Sequence, residues 1–223
     1  MHRLPREDPA AETGLGVDVP GWVTPVSIAG IVGVSWYVAS WAVAGWLTPG
    51  YDAARQAISE LFAIGAPTVP SVLVGSSLVG SGLALIGFGA ALHRGLPGTG
   101  LAGPALATIS GVMTVLVVAF PCSPGCPGAG ASPTDTMHTL VAATGYLALI
   151  LAPLAMAIRV RHHDPGLAAW SMLLGGVALA GFVLRTLGVA EGLAGLQQRT
   201  FNTVADAWYV MVAVVLIRQA RRG

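Results

Sequence analysis

Apolar residues run along this chain in six long stretches, and polar, charged, proline and glycine residues collect in the short segments between them. The stretches cover about residues 22–47, 69–92, 101–120, 137–158, 166–187 and 202–217. A helix needs roughly 20 mostly apolar residues to cross the hydrocarbon of a bilayer. The first five stretches reach that length, and the sixth is the shortest and carries Asp206 inside it. None alternates with the period of two that a barrel strand requires, and all are too long for such strands. The pattern therefore predicts an all-α integral membrane protein, a six-helix transmembrane bundle forming one domain over 21–223. Residues 1–20 are polar and lack an apolar core of the signal-peptide kind, so they read as a disordered cytoplasmic tail.

Composition supports this and adds an orientation. The chain is 54% hydrophobic and 9% charged, against about 25% charged in an ordinary soluble domain. Net charge is +1, which argues against a nucleic-acid partner. There is no lysine, so arginine carries the topology signal. Arg3, Arg6, Arg94, Arg159, Arg161, Arg218, Arg221 and Arg222 fall on one side of the predicted spans. Arg55, Arg185 and Arg199 fall on the other. The positive-inside rule then puts both termini in the cytoplasm of a cell-membrane protein. Small residues in helix 2 (Gly75, Ser76, Gly80, Gly82, Gly87, Gly89) and helix 5 (Gly175, Gly176, Gly181) predict close packing within one bundle, in preference to a dimer seam.

The outward segments hold the candidate chemistry. Residues 51–62 put Asp52, Arg55 and Ser59 on one helical face, with Gln56 and Glu60 beside it, which reads as a short amphipathic helix at the interface. The second outward loop contains the only two cysteines, Cys122 and Cys126, with Pro-Gly between them, and predicts a disulfide. Ser132, Pro133 and Asp135 form a helix-start signature. His138 lies one turn on, so Asp135 either caps the helix or orients His138 as an acid–base pair. Arg199, Asn202, Asp206 and Tyr209 fall on one stripe of the last helix. Asp206 should then sit one to two turns inside the membrane, paired with Arg185 or Arg199, because an isolated intramembrane charge is costly. Trp208 and Tyr209 suit either that stripe or an interfacial aromatic belt.

Absences narrow the class. Of five histidines only His138 lies outward, which excludes a three-histidine zinc site there, and no metal or other cofactor is expected. His162 and His163 sit among Arg159, Arg161 and Asp164, most simply a positive-inside anchor. Phosphate-loop, serine-hydrolase and zinc-protease motifs are missing.

The chain resembles the bacterial and archaeal membrane proteins grouped as "domain of unknown function 998". The residues concerned are Ile58-Ser59-Glu60-Leu61, Phe120-Pro121, Asp135 with His138, Gln198-Arg199 and Trp208-Tyr209. The resemblance runs over about residues 22–218. Members often carry an acid soon after the Phe-Pro, where this chain has Cys122. The resemblance implies the fold and carries no reaction.

Three functional readings stay open. The first is an outward-facing polar site for a membrane-lipid headgroup or a small anionic ligand, with Arg55, Arg185, Arg199, Asn202, Asp206 and Tyr209 as binding residues. The second is an enzyme on a lipid or isoprenoid substrate, with His138, Asp135, Ser59 and Glu60 as catalytic candidates. The third is a structural or assembly protein. Oligomeric state is not legible.

Overall fold

A computed structural model describes residues 19–222. The expected disordered tail falls, up to residue 18, outside the described residues. Among these there is no strand, and six helices are long and apolar enough to cross a membrane. They are α1 (Val23–Leu47), α2 (Thr68–Gly95), α3 (Ala102–Leu116), α4 (Pro133–Val160), α5 (Pro165–Thr186) and α6 (Ala194–Ala220). The chain is thus an all-helical, multi-pass membrane protein.

Local sequence chemistry sets the helix ends. At α3 a 3-10 turn, Val117–Ala119, tightens the last residues. Pro121 then disfavours a helical Phe120, which leaves the α region (φ −126°, ψ 66°). Ser132 caps α4, its Oγ accepting from the Asp135 N–H at 3.1 Å, and Pro133 occupies the first position, where a missing N–H costs nothing. Asp164 caps α5 in the same way, accepting from the Leu167 N–H at 2.8 Å ahead of Pro165. The segment predicted as an amphipathic helix over 51–62 does contain a short helix. It is a 3-10 helix, restricted to Ile58–Phe62. Before it the side chains bond their own backbone: Asp52 accepts from the Ala54 N–H, and Gln56 accepts from the Asp52 N–H. Such local bonds compete with helix formation.

Each helix packs on the next, and α6 returns against α1 to close the ring. Gly95, at the end of α2, lies beside Val23 of α1 and Leu216 of α6, so the start of α1 and the last turns of α6 share one end of the bundle, called here the terminal end. The opposite, loop end carries Ile58–Phe62 and the 120–132 segment. Glycines permit the closest approaches. A Cβ on Gly82 would stand 2.7 Å from the Gly111 carbonyl oxygen, and one on Gly111 would stand 2.6 Å from that of Gly82. Here α2 and α3 touch backbone to backbone.

At the terminal end Arg159 ties α4 to the turn between α2 and α3. Its guanidinium donates to the carbonyls of His93, Leu96, Pro97 and Gly100 at 2.8–3.0 Å. It thereby serves two carbonyls at the end of α2, His93 and Leu96, that lack helical partners, and two of the loop that follows.

The buried apolar residues form two clusters. One, towards the terminal end, gathers Leu92, Met156, Val160, Trp208 and Leu216. The other, at the loop end, gathers Tyr37, Ile58, Leu61, Phe62, Leu78, Val117 and Val141.

Candidate functional site

The last helix starts earlier than hydropathy alone indicates, at Ala194 in place of residue 202, and this resets the depth of its polar stripe. Twelve residues separate Ala194 from Asp206, or about 18 Å of helix. Asp206 therefore lies more than three turns from the start of α6. All four stripe residues are buried: Arg199, Asn202, Asp206 and Tyr209.

Neither expected ion pair with Asp206 forms. Among the described residues the ion pair is Arg55 to Asp52, at 3.5 Å on the exposed surface. Side chains on a helix lean towards its N-terminus, so Arg199 points away from Asp206, two turns further on. Its Nη1 donates to the carbonyls of Ala53 (2.7 Å), Gln56 (2.9 Å) and Gly195 (3.0 Å). Its Nη2 donates to the Tyr51 hydroxyl. The guanidinium also lies 5.2 Å from the centre of the Trp41 ring and 5.6 Å from that of Tyr51. Burial pushes the Tyr51 phenol above its ordinary range, so it stays neutral and donates to the Ala57 carbonyl at 2.8 Å. Arg185 stands in the last turn of α5, at the loop end, whereas Asp206 lies more than three turns into α6.

The first turn of α6 completes this clamp. The Gly195 and Leu196 N–H groups donate to the Arg55 and Ala54 carbonyls at 3.2 and 2.9 Å. Gln198 accepts from the Ile58 N–H at 2.9 Å and donates to the Tyr146 hydroxyl at 2.8 Å. The positive end of the helix, with Arg199, thus meets a row of loop carbonyls.

The other candidates divide in the same way between holding the loop end together and facing its interior. Glu60 accepts from the Ala57 N–H at 2.9 Å and from Gln56 Nε2 at 2.8 Å. Asp135 accepts from Ser123 N–H (2.7 Å), Ser123 Oγ (2.8 Å) and Ser132 Oγ (2.6 Å). It is a cap and a loop anchor, and it does not hydrogen-bond His138. That role falls to the Phe120 carbonyl, 2.7 Å from His138 Nδ1. Cys122 and Cys126 are joined by a disulfide. Their sulfurs and His138 cluster within 4.8 Å, but the disulfide occupies both thiolates that a soft metal ion requires.

Behind this loop end lies a cavity of about 80 Å³, lined from every helix except α5. One water requires only about 10–15 Å³ of such space. Polar lining comes from α6 (Gln198, Asn202, Asp206), from Tyr37, Tyr146, Ser59 and His138, and from the small hydroxyls of Ser81, Ser110 and Thr114 on α2 and α3. Aliphatic lining comes mainly from α2, α3 and α4, including Leu78, Leu85, Met113, Val117, Val141 and Leu149. Along α4 the lining runs from His138 to Leu149, about 16 Å by helical rise. Asn202 Nδ2 donates to the Tyr37 hydroxyl at 2.9 Å. Asp206 Oδ2 is buried without a hydrogen-bond partner, and so is the Tyr209 hydroxyl.

Of the residues singled out in the sequence, Ser59, His138, Asn202 and Asp206 share this cavity. Arg55, Glu60, Asp135, Arg185, Arg199 and Tyr209 do not line it. Trp208 and Tyr209 are buried, not an interfacial belt, and Trp208 Nε1 donates to Ser171 Oγ at 2.8 Å. Tyr37 and Tyr146 were not singled out as site residues. The available signal was a phenol hydroxyl within each of two apolar runs.

No curated protein and no solved structure matches this chain. One family model does, over residues 31–215, which takes in every helix that lines the cavity. On that match the chain belongs to the family described as "Protein of unknown function (DUF998)".

Proposed function

We propose that this protein binds a linear amphipathic molecule drawn from the membrane, in the cavity between α6 and the α2–α4 wall. The supporting observation is the cavity's composition and length. It is elongated and largely aliphatic, with hydrogen-bonding groups contributed mainly by α6 and its partners, and such a space suits a chain with one polar group. A lipid headgroup therefore remains the favoured ligand class, in a different position from the arginine-lined mouth expected from sequence. The arginines of the loop end are exposed, too shallow, or committed to backbone carbonyls. Binding an anion is for that reason not what this cavity favours.

The loop end faces outward in this reading. Arg94, Arg159, Arg161, Arg218, Arg221 and Arg222 gather at the terminal end, and the disulfide lies at the other, which fits an oxidising exterior. The catalytic alternative has less support. Ser59 and His138 line the same cavity but are not hydrogen-bonded to each other, and Glu60 and Asp135 are engaged in capping.

The test is lipid analysis of purified protein. Ala142 lines the cavity, so Ala142→Phe fills it. Wild type should retain a small amphiphile at near-equal stoichiometry, and Ala142→Phe should lose it while eluting as the same species. Identical bound lipid in both would remove the basis of the proposal.

A further inference from the structure

We infer that the amphiphile's polar group is an ammonium, held by Asp206. The inference rests on the cavity-binding reading above and adds the ligand's chemistry. Asp206 is 5% exposed, lines the cavity, and presents a buried Oδ2 that no donor among the described residues meets. An unpaired carboxylate inside a bundle is costly, and such groups face a partner or mark a site.

Among the described residues that carboxylate meets no cation. None of the arginines described lines the cavity. Arg199, on the same helical stripe, gives its Nη groups to Ala53, Gln56, Gly195 and Tyr51. The only other lining group that can carry charge is His138, whose Nδ1 is bound to the Phe120 carbonyl near the start of α4. The nearby amide donors are also committed, Asn202 to Tyr37 and Gln198 to Tyr146. The Tyr37 and Tyr146 hydroxyls accept those two bonds and keep an O–H each, but no cation faces the unpartnered Asp206 Oδ2. A carboxylate or phosphate head would add repulsion there. An ammonium brings three N–H donors and the missing positive charge. The neighbouring aliphatic wall then takes the alkyl chain.

The same chemistry could come from a free long-chain amine or from an ethanolamine lipid headgroup, and the experiment separates them. Protein in nanodiscs is assayed for saturable binding of dodecylamine, dodecanol and lysophosphatidylethanolamine, with wild type, Asp206→Asn and Ala142→Phe. At least one ammonium-bearing probe should bind wild type tenfold or more tightly than dodecanol. Asp206→Asn should erase that preference. Tighter binding by dodecylamine identifies a free amine, and tighter binding by the lysolipid identifies the headgroup. Equal affinity for amine and alcohol, with both lost in Ala142→Phe, would overturn the ammonium and leave the cavity reading standing. So would an amine preference that survives Asp206→Asn. Absence of saturable binding by all three, or binding undiminished in Ala142→Phe, would remove both. The wild-type comparison decides the head group even if Asp206→Asn fails to fold.

Discussion

The Asn202 amide of α6 donates a hydrogen bond to the Tyr37 hydroxyl of α1 at 2.9 Å, and both side chains line the cavity. This bond joins the first and last helices of the ring across the interior. Interhelical side-chain bonds in membrane proteins average about 0.6 kcal/mol in double-mutant cycles, with a maximum near 1.7. Tyr37→Phe, Asn202→Ala and the double variant should give a coupling in that range by reversible unfolding. Strict additivity would mean that the two side chains do not interact.

Arg199 should matter for stability more than for ligand recognition. Truncating it leaves the Ala53 carbonyl and the Tyr51 hydroxyl without their donor, and the Gln56 carbonyl with only the Tyr51 hydroxyl at 3.2 Å. Arg199→Ala should lower stability by about 3 kcal/mol, with faster proteolysis within residues 51–57. Lysine cannot reproduce the fork, so Arg199→Lys should recover about half of that loss. A variant with wild-type unfolding and altered ligand affinity would reverse this assignment.

Gly195 sits where α6 meets the loop. A Cβ there would come within 2.7 Å of the Ala53 carbonyl and closer still to that of Gln56. Gly195→Ala should therefore cost roughly 1–3 kcal/mol through overpacking. Gly192, three residues earlier, has nothing within 4 Å of its Cβ position. Gly192→Ala should be neutral or slightly stabilising, and equal effects at both positions would contradict the close approach.

The disulfide secures a segment that connects several elements. Cys122 accepts from the Ile64 N–H at 2.8 Å, Phe120 holds His138, and Ser123 holds Asp135. Closing so short a loop is worth roughly 2 kcal/mol on the chain-entropy estimate. A thiol reductant should lower the thermal midpoint of wild type and leave a Cys122→Ser, Cys126→Ser double variant unmoved. A midpoint insensitive to reductant would contradict the role given to this segment.

Much of the fold was legible because its causes are local. Helix count follows from the length of apolar runs, and the start of α4 follows from Ser132, Pro133 and Asp135. The start of α6 was hidden because residues 194–201 include Gln197, Gln198 and Arg199, whose polarity reads as loop. Those groups are tolerated because loop carbonyls and the Tyr146 hydroxyl receive Gln198 and Arg199. The polar stripe of α6 was visible in its spacing, but its partners were not. Pairing Arg199 with Asp206 matched charges along one helix. The structure satisfies Arg199 through a segment some 143 to 146 residues away in sequence, which no local pattern reveals. For the same reason Tyr37 and Tyr146 drew no attention until helices distant in sequence came together around the cavity.

The central claim is that a discrete amphiphile occupies this cavity, and photo-methionine labelling tests it with little change in shape. Of six methionines, Met113 lines the cavity and Met172 is exposed on the surface of α5. Irradiation in a defined lipid mixture should give Met113 a single small-molecule adduct that excess unlabelled amphiphile displaces. Met172 should collect bulk lipid in proportion to its abundance, without saturation. The same lipid distribution at both positions, or no adduct at Met113, would contradict the account.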